Sequence, residues 1–155
     1  MGNSEPSARQ PADDAVIRPM IADDYEAITA IWRASPGIVL TSADSVTGLT
    51  AFLERNPNLS QVALRDNEII GGVLCGHDGR RGFIHHLAVH PSARRAGLGR
   101  MLTAACLDGL RRAGIEKCHL FIQGDNLEGQ AFWRQIGWIR RDELVMMSKT
   151  LDKPN

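Results

Sequence analysis

The chain is poor in cysteine, in charge of one sign and in long apolar runs. Its three cysteines, Cys75, Cys106 and Cys118, are odd in number, far apart and never spaced C-x-x-C. That pattern excludes a disulfide framework and a zinc knuckle and predicts buried free thiols. Eighteen Lys and Arg balance eighteen Asp and Glu, so the broad basic surface needed for non-specific nucleic-acid or membrane binding is missing. Any anion site must therefore be local. No apolar run is long enough to cross a bilayer, and the opening MGNSEPSARQPADDA has no apolar core of a secretory signal. The expected setting is cytoplasmic, without membrane or nucleic-acid partners. Gly2 is not read as a myristoylation site, because Pro6 stands where Ser or Thr is wanted.

What is present suits one globular domain: 155 residues, 43% apolar, enough to bury a core. Residues 1–15, rich in Pro, Ser and Asp, cannot offset their ordering entropy and are expected to be a flexible tail. The folded part, 16–155, opens with a short strand at Val16 that stops at Pro19. Asp23 and Glu26 then signal a helix start, with Ile28, Ile31 and Trp32 as its buried stripe. Thr41 or Ser42 caps a second helix carrying Val46, Leu49 and Leu53, which ends before Asn56-Pro57. From Ser60 the period falls to two. Strands are expected over 61–65, 68–75 and 82–89, joined by turns at Asp66-Asn67 and at His77-Asp78-Gly79. Leu98, Met101, Leu102, Ala105, Cys106 and Leu110 mark a long amphipathic helix stopped by Gly114. A strand over 115–122, a helix capped by Asn126 and halted by Gly137, and a last strand over 144–151 complete the chain. The order β-α-α-β-β-β-α-β-α-β predicts an α/β (α+β) domain. Its mixed, mainly antiparallel sheet of six to seven strands carries helices on both faces, with a right-handed parallel crossover across residues 83–122.

The chemistry gathers at Leu87-Ala88-Val89-His90-Pro91-Ser92-Ala93-Arg94-Arg95-Ala96-Gly97-Leu98-Gly99-Arg100, where a strand runs through a loop with two glycines and three arginines into the long helix. The first N–H groups of a helix have no intrahelical acceptor, the dipole adds positive charge, and glycine allows a phosphate to reach the backbone. The residues alone leave two roles open, phosphate binding or a tight strand-to-helix turn. The loop is neither a P-loop nor a G-x-G-x-x-G fingerprint, since position 102 is leucine.

Arg94-x-x-Gly97-x-Gly99 after an L-A-V-x-P strand end resembles the acyl-CoA pyrophosphate loop of the GNAT (Gcn5-related N-acetyltransferase) superfamily. Asn126, aromatics at 132 and 133, and Gly137-Trp138 resemble that family's downstream segment, in register with the loop. The clear resemblance covers residues 83–138. It implies acetyl transfer from acetyl-CoA, as cosubstrate, to a primary amine of a small molecule or peptide by direct attack in a ternary complex. In that picture the backbone of Arg95, Ala96, Gly97, Leu98, Gly99 and Arg100 holds the pyrophosphate, with Arg94, Arg95 and Arg100 as further phosphate partners. Leu87, Ala88 and Val89 would pair like an added strand with the pantetheine amides where the fourth and fifth strands splay. Asn126 would lie beside the pantetheine, besides capping its helix.

The sequence departs from the family in its acid and base. The tyrosine that protonates the departing thiolate in many members falls on Trp133, whose indole cannot usefully give up a proton. Glutamates that members carry on the fourth and fifth strands fall on Phe83 and Phe121. Histidine is then the candidate base. Strict alternation places Phe83, His85, Leu87 and Val89 on one face and Ile84, His86 and Ala88 on the other. His85 therefore shares the face of the relatives' acids, as base or as packing and substrate contact, while His86 should meet a helix. The same alternation makes His85 and His86 point oppositely and separates His86 from His90, so no metal site is expected. The resemblance places Trp32, Arg33, Ser35-Pro36-Gly37 and Arg140-Arg141 around the acceptor. No acidic cluster there invites a polycation, and the arginines hint at a carboxylate on the acceptor. Two alternatives remain: an inactive acyl-CoA-binding sensor, and a phosphate-binding domain unrelated to coenzyme A. A homodimer through an exposed sheet edge is compatible with the sequence.

Overall fold

Alternating apolar positions from Gln61 onward need strand partners on both sides, and the computed structural model supplies them. It describes residues 14–152, so nearly all of the expected tail lies outside the described residues, as do Gly2, Pro6 and 153–155. The chain divides into two compact units, one ending at Gln123 and the other beginning at Gly124.

In the first unit, β1 (Val16–Pro19), β2 (Gln61–Arg65), β3 (Glu68–His77), β4 (Gly82–Val89) and β5 (Cys118–Leu120) form one sheet in sequence order. The first three pairings are antiparallel and β4–β5 is parallel, so the connection through the long helix joins parallel strands, as expected. Asp66 and Asn67 join β2 to β3 with φ of 50° and 63°, the left-handed pair that a two-residue hairpin turn requires.

Side-chain alternation on β3 sorts the helices onto the two faces. A Cβ on Gly72 would lie 2.4 Å from Ile28 of α1 (Tyr25–Arg33), whereas one on Gly71 would meet Leu102 of α3 (Leu98–Arg112). α1 and α2 (Val46–Arg55) thus cover one face, where Ile28, Trp32, Leu49, Val62, Leu74 and Ala88 are buried together. α3 covers the other with Leu98, Leu102, Cys106 and Leu110. Cys75 and Cys106 are buried and Cys118 half-buried, all free; burial pushes the Cys118 thiol up to about 12.

Several boundaries move for local reasons. The acid that closes the first capping box is Asp24, which accepts the Ile21 N–H at 2.9 Å, rather than Glu26. Thr41 caps a single 3-10 turn over Ser42–Asp44, and Ser45 caps α2 itself by accepting from Gly48 N. β5 begins at Cys118 because Ile115 is spent in the end of α3: Gly114 takes φ of 81°, and Ile115 N donates to Leu110 O at 3.0 Å.

The second unit contains α4 (Leu127–Gln135), whose Asn126 side chain accepts from Gly129 N, followed by Gly137 at φ of 99°. The expected strand over 144–151 does not form. Val145 and Met147 are 87% and 92% exposed, and this unit holds no other strand among the described residues to pair with. The sheet therefore has five strands rather than six or seven.

The decisive departure lies in β4. Gly71↔Val89 and Gly72↔Ala88 keep one register, but Leu74 pairs with His85. His86 and Leu87 together oppose Val73, a β-bulge, and His86 takes φ of 55°. Alternation breaks there. His85 now shares the α1–α2 face with Ala88, while Val89 joins Ile84 on the α3 face, so the expected division of 83–89 into two faces is corrected. His86→Val should be about 1–2 kcal/mol less stable than His86→Asn in chemical denaturation, because a β-branched residue resists this left-handed conformation and asparagine tolerates it.

Candidate active site

Two features of the first unit meet around the C-terminal half of β4. The first is the loop into α3. After Val89, His90 N donates to Ile70 O at 2.7 Å, and a 3-10 turn over Pro91–Ala93 buries Ala93. Arg95 then takes φ of 64° and Gly97 φ of 80°. Left-handed residues alternating with others turn successive N–H groups toward one side and form an anion-binding concavity. The first bond of α3 is Met101 N to Gly97 O at 3.0 Å, so the preceding amides have no acceptor within the helix. A Cβ on Gly97 would meet nothing within 4 Å, which leaves open space above the backbone. Arg95 and Arg100 are exposed. Arg94 is partly committed: its Nε donates to Val89 O at 3.0 Å, tying the loop back to the strand end.

Between this loop and the sheet, β4 and β5 part. Their pairing ends at Ile84↔Leu120, so Leu87, Ala88 and Val89 lie beyond the last β5 pair, and no strand among the described residues pairs with that edge, which an extended ligand could use. The fit to a pantetheine-bearing phosphate ester is good on both counts, the unpaired edge and the amide cradle.

The second feature is a cleft of about 390 Å³ on the α1–α2 face. Val39, Leu49, Phe52 and Leu74 supply apolar walls, and Asp44, His85 and His86 supply its titratable groups. The bulge brings both histidines to it. Their ring centroids lie 6.5 Å apart, which corrects the expectation that they point oppositely. His85 stacks on Phe83 and meets Phe52 edge-on, and burial, then the repulsion that a proton on each of the two neighbouring rings would meet, pushes its pKa below the ordinary imidazole value while Asp44 pulls the other way. His86 Nε2 donates to Asp44 Oδ1 at 2.9 Å, and its ring lies 5.2 Å from that of Trp32. Sequence reasoning placed His86 against a helix but missed Asp44. The Thr41-x-x-Asp44 spacing announces a capping box, yet nothing in it says that the carboxylate's second oxygen reaches a strand 42 residues away.

Other expected positions are less engaged. Asn126 caps α4, and Trp133 packs at 5.1 Å centroid distance on Trp138 within the second unit. Arg140 and Arg141 pair with Asp142 and Glu143, so the hint of a carboxylate-bearing acceptor loses support. Among the described residues no three His, Cys, Asp or Glu side chains gather as a metal site, and no helix is long and apolar enough to cross a membrane.

Comparison with known proteins settles the family, since the profile described as the acetyltransferase (GNAT) family matches residues 25–138. The chain belongs to that family. This GNAT protein is 33% identical over 110 residues to an acetyltransferase of Pectobacterium atrosepticum, covering 71% of this chain and 77% of the relative. An acetyltransferase of Photorhabdus laumondii is 31% identical over 140 residues, covering 87% and 94%. Among solved structures, Ard1 from Thermoplasma volcanium superposes with a TM-score of 0.72 at 21% identity, covering 81% of this chain and 83% of that one. An aminoglycoside acetyltransferase from an uncultured soil metagenomic sample, in complex with sisomicin, gives 0.72 at 19%, covering 90% and 98%. These neighbours share the fold, and the GNAT chain is an acetyltransferase enzyme.

The lowered His85 pKa has a stability consequence. The neutral ring contributes stability that is complete above the ordinary histidine value and is lost as pH falls through the lowered one. His85→Gln should flatten the decline in unfolding free energy across that acid window in urea titrations. NMR should place the His85 midpoint below that of free histidine.

Proposed function

We propose that this GNAT protein transfers the acetyl group of acetyl-CoA to the primary amine of a small molecule or peptide by direct attack in a ternary complex, and that the preferred acceptor is a monoamine on an apolar body. The observation that carries the reading is the bulged β4: its free edge leads from the amide cradle at the start of α3 to a cleft with two imidazoles. The backbone of Arg95 to Arg100 would hold the pyrophosphate, and that of Leu87 to Val89 the pantetheine amides. Acetyl-CoA supplies a thioester carbonyl at the end of that edge.

The rest falls to the protein. An alkyl ammonium must lose a proton before it can attack, and His85, held neutral by burial, takes it. Backbone N–H groups at the bulge polarise the carbonyl, and binding both substrates on one rigid strand supplies orientation. On attack the nitrogen must shed a second proton, which passes to solvent, and solvent in turn protonates the departing thiolate. The apolar walls favour an apolar acceptor body, and the cleft's carboxylate, Asp44, is already bonded to His86 and to Thr41 N. A polycation such as the sisomicin bound by the fold neighbour finds no unengaged acid among these cleft residues.

Thiol release with acetyl-CoA over an acceptor panel tests this. The expected kcat/KM for 2-phenylethylamine is at least tenfold above that for spermidine or sisomicin; the reverse order would refute the acceptor class. Calorimetric titration should show coenzyme A affinity lost in Gly99→Asp, which sets negative charge where phosphate approaches, and retained in His85→Gln. An unchanged affinity in Gly99→Asp would remove the loop from the site.

A further inference from the structure

The cleft contains more ionisable machinery than one base requires. Asp44 is over-determined: its Oδ2 accepts Thr41 N at 2.9 Å, its Oδ1 accepts His86 Nε2 at 2.9 Å, and its backbone carbonyl accepts the Tyr25 hydroxyl at 2.9 Å. Its side chain is 8% exposed. His86 meets it only by adopting the left-handed φ of 55° on a strand, a conformation that costs energy and persists where the surroundings impose it. A carboxylate can only accept, so the bond to Asp44 keeps a proton on Nε2 and leaves Nδ1 as the ring's acceptor nitrogen.

We propose that Asp44 is a positioning residue that holds His86 in this single tautomer, and that His86 Nδ1 is where the acceptor's proton comes to rest after leaving His85. The inference rests on the acetyl-transfer reading. An ammonium N–H bond breaks, its electron pair stays on nitrogen as the attacking lone pair, and His85 gains the proton. Solvent in the open cleft passes it to His86 Nδ1 and later to bulk water. Electrostatics favours that direction. His85 packs between the rings of Phe83 and Phe52, whereas His86 lies 2.9 Å from the Asp44 carboxylate, an opposite-charge partner for an arriving proton. The titratable groups placed against His86 are Asp44 and His85; the Tyr25 hydroxyl donates to the Asp44 backbone carbonyl.

Asp44→Asn is the test, with His86→Asn beside it because asparagine suits the bulge conformation. In Asp44→Asn the introduced amide can keep the Thr41 N bond through its oxygen but turns an N–H toward His86, which reverses the tautomer. Long-range ¹⁵N–¹H NMR of the full chain without substrates should show Nε2–H on His86 in the native protein and Nδ1–H in Asp44→Asn. That readout stands even if no acceptor in the panel is acetylated. With an accepted amine, kcat should fall on the order of 100-fold in either variant, with acceptor KM and coenzyme A affinity within about threefold. The deficit should shrink as pH rises and the free amine forms unaided, and the double variant should lose no more than either single one. A mixed or Nδ1–H tautomer in the native protein overturns the proposal, as does kcat within threefold of native, or a loss that is the same at every pH.

Discussion

The shape of the candidate site depends on one extra residue in β4. A regular strand would hold His86 on the α3 face, away from Asp44, and would keep Val89 on the side of His85. Inserting His86 opposite Val73 reverses the faces at that point and gathers both imidazoles on the α1–α2 side. The same irregularity falls where β5 stops pairing, so the strand becomes distorted on one side and unpaired on the other within a few residues. Each is a cost to sheet stability, and together they form the route between the anion loop and the cleft.

The parts of this arrangement that were readable in the sequence are those set by local periodicity and local chemistry. Leu98 through Leu110 could only be an amphipathic helix, Gly97 and Gly114 mark its two ends, and Asp66-Asn67 had to be a tight turn. The turn from Arg94 to Arg100 was visible for the same reason, since its path is a backbone conformation that Gly97 helps to encode. What could not be read depended on distant partners. The bulge leaves no mark at His86 itself, because a histidine at positive φ is chosen by pairing with β3 and by Asp44, not by its neighbours. The strand expected at 144–151 failed for the converse reason: its propensity is real, but a strand needs another strand beside it.

The comparison with solved structures sharpens what is particular to this chain. Proteins that share this fold carry names as different as Ard1 and an aminoglycoside acetyltransferase, so the fold by itself does not identify an acceptor. In this chain Phe83 lies on β4, Phe121 lies just beyond β5 and is exposed, and the titratable groups lining the cleft are Asp44, His85 and His86. The other walls are largely apolar, and the one carboxylate is already bonded to His86 and to Thr41 N.

The loop at the start of α3 carries a further implication for how such a protein diversifies. Its cradle is made of peptide groups, and the Arg95 and Gly97 conformations matter more than the identity of most side chains around them. The cleft is the opposite: Asp44, Phe52, His85 and His86 act through their side chains and come from three separate stretches of sequence. Substitutions that reshape the cleft can therefore accumulate without disturbing the backbone of the loop, and the two parts are free to evolve at different rates.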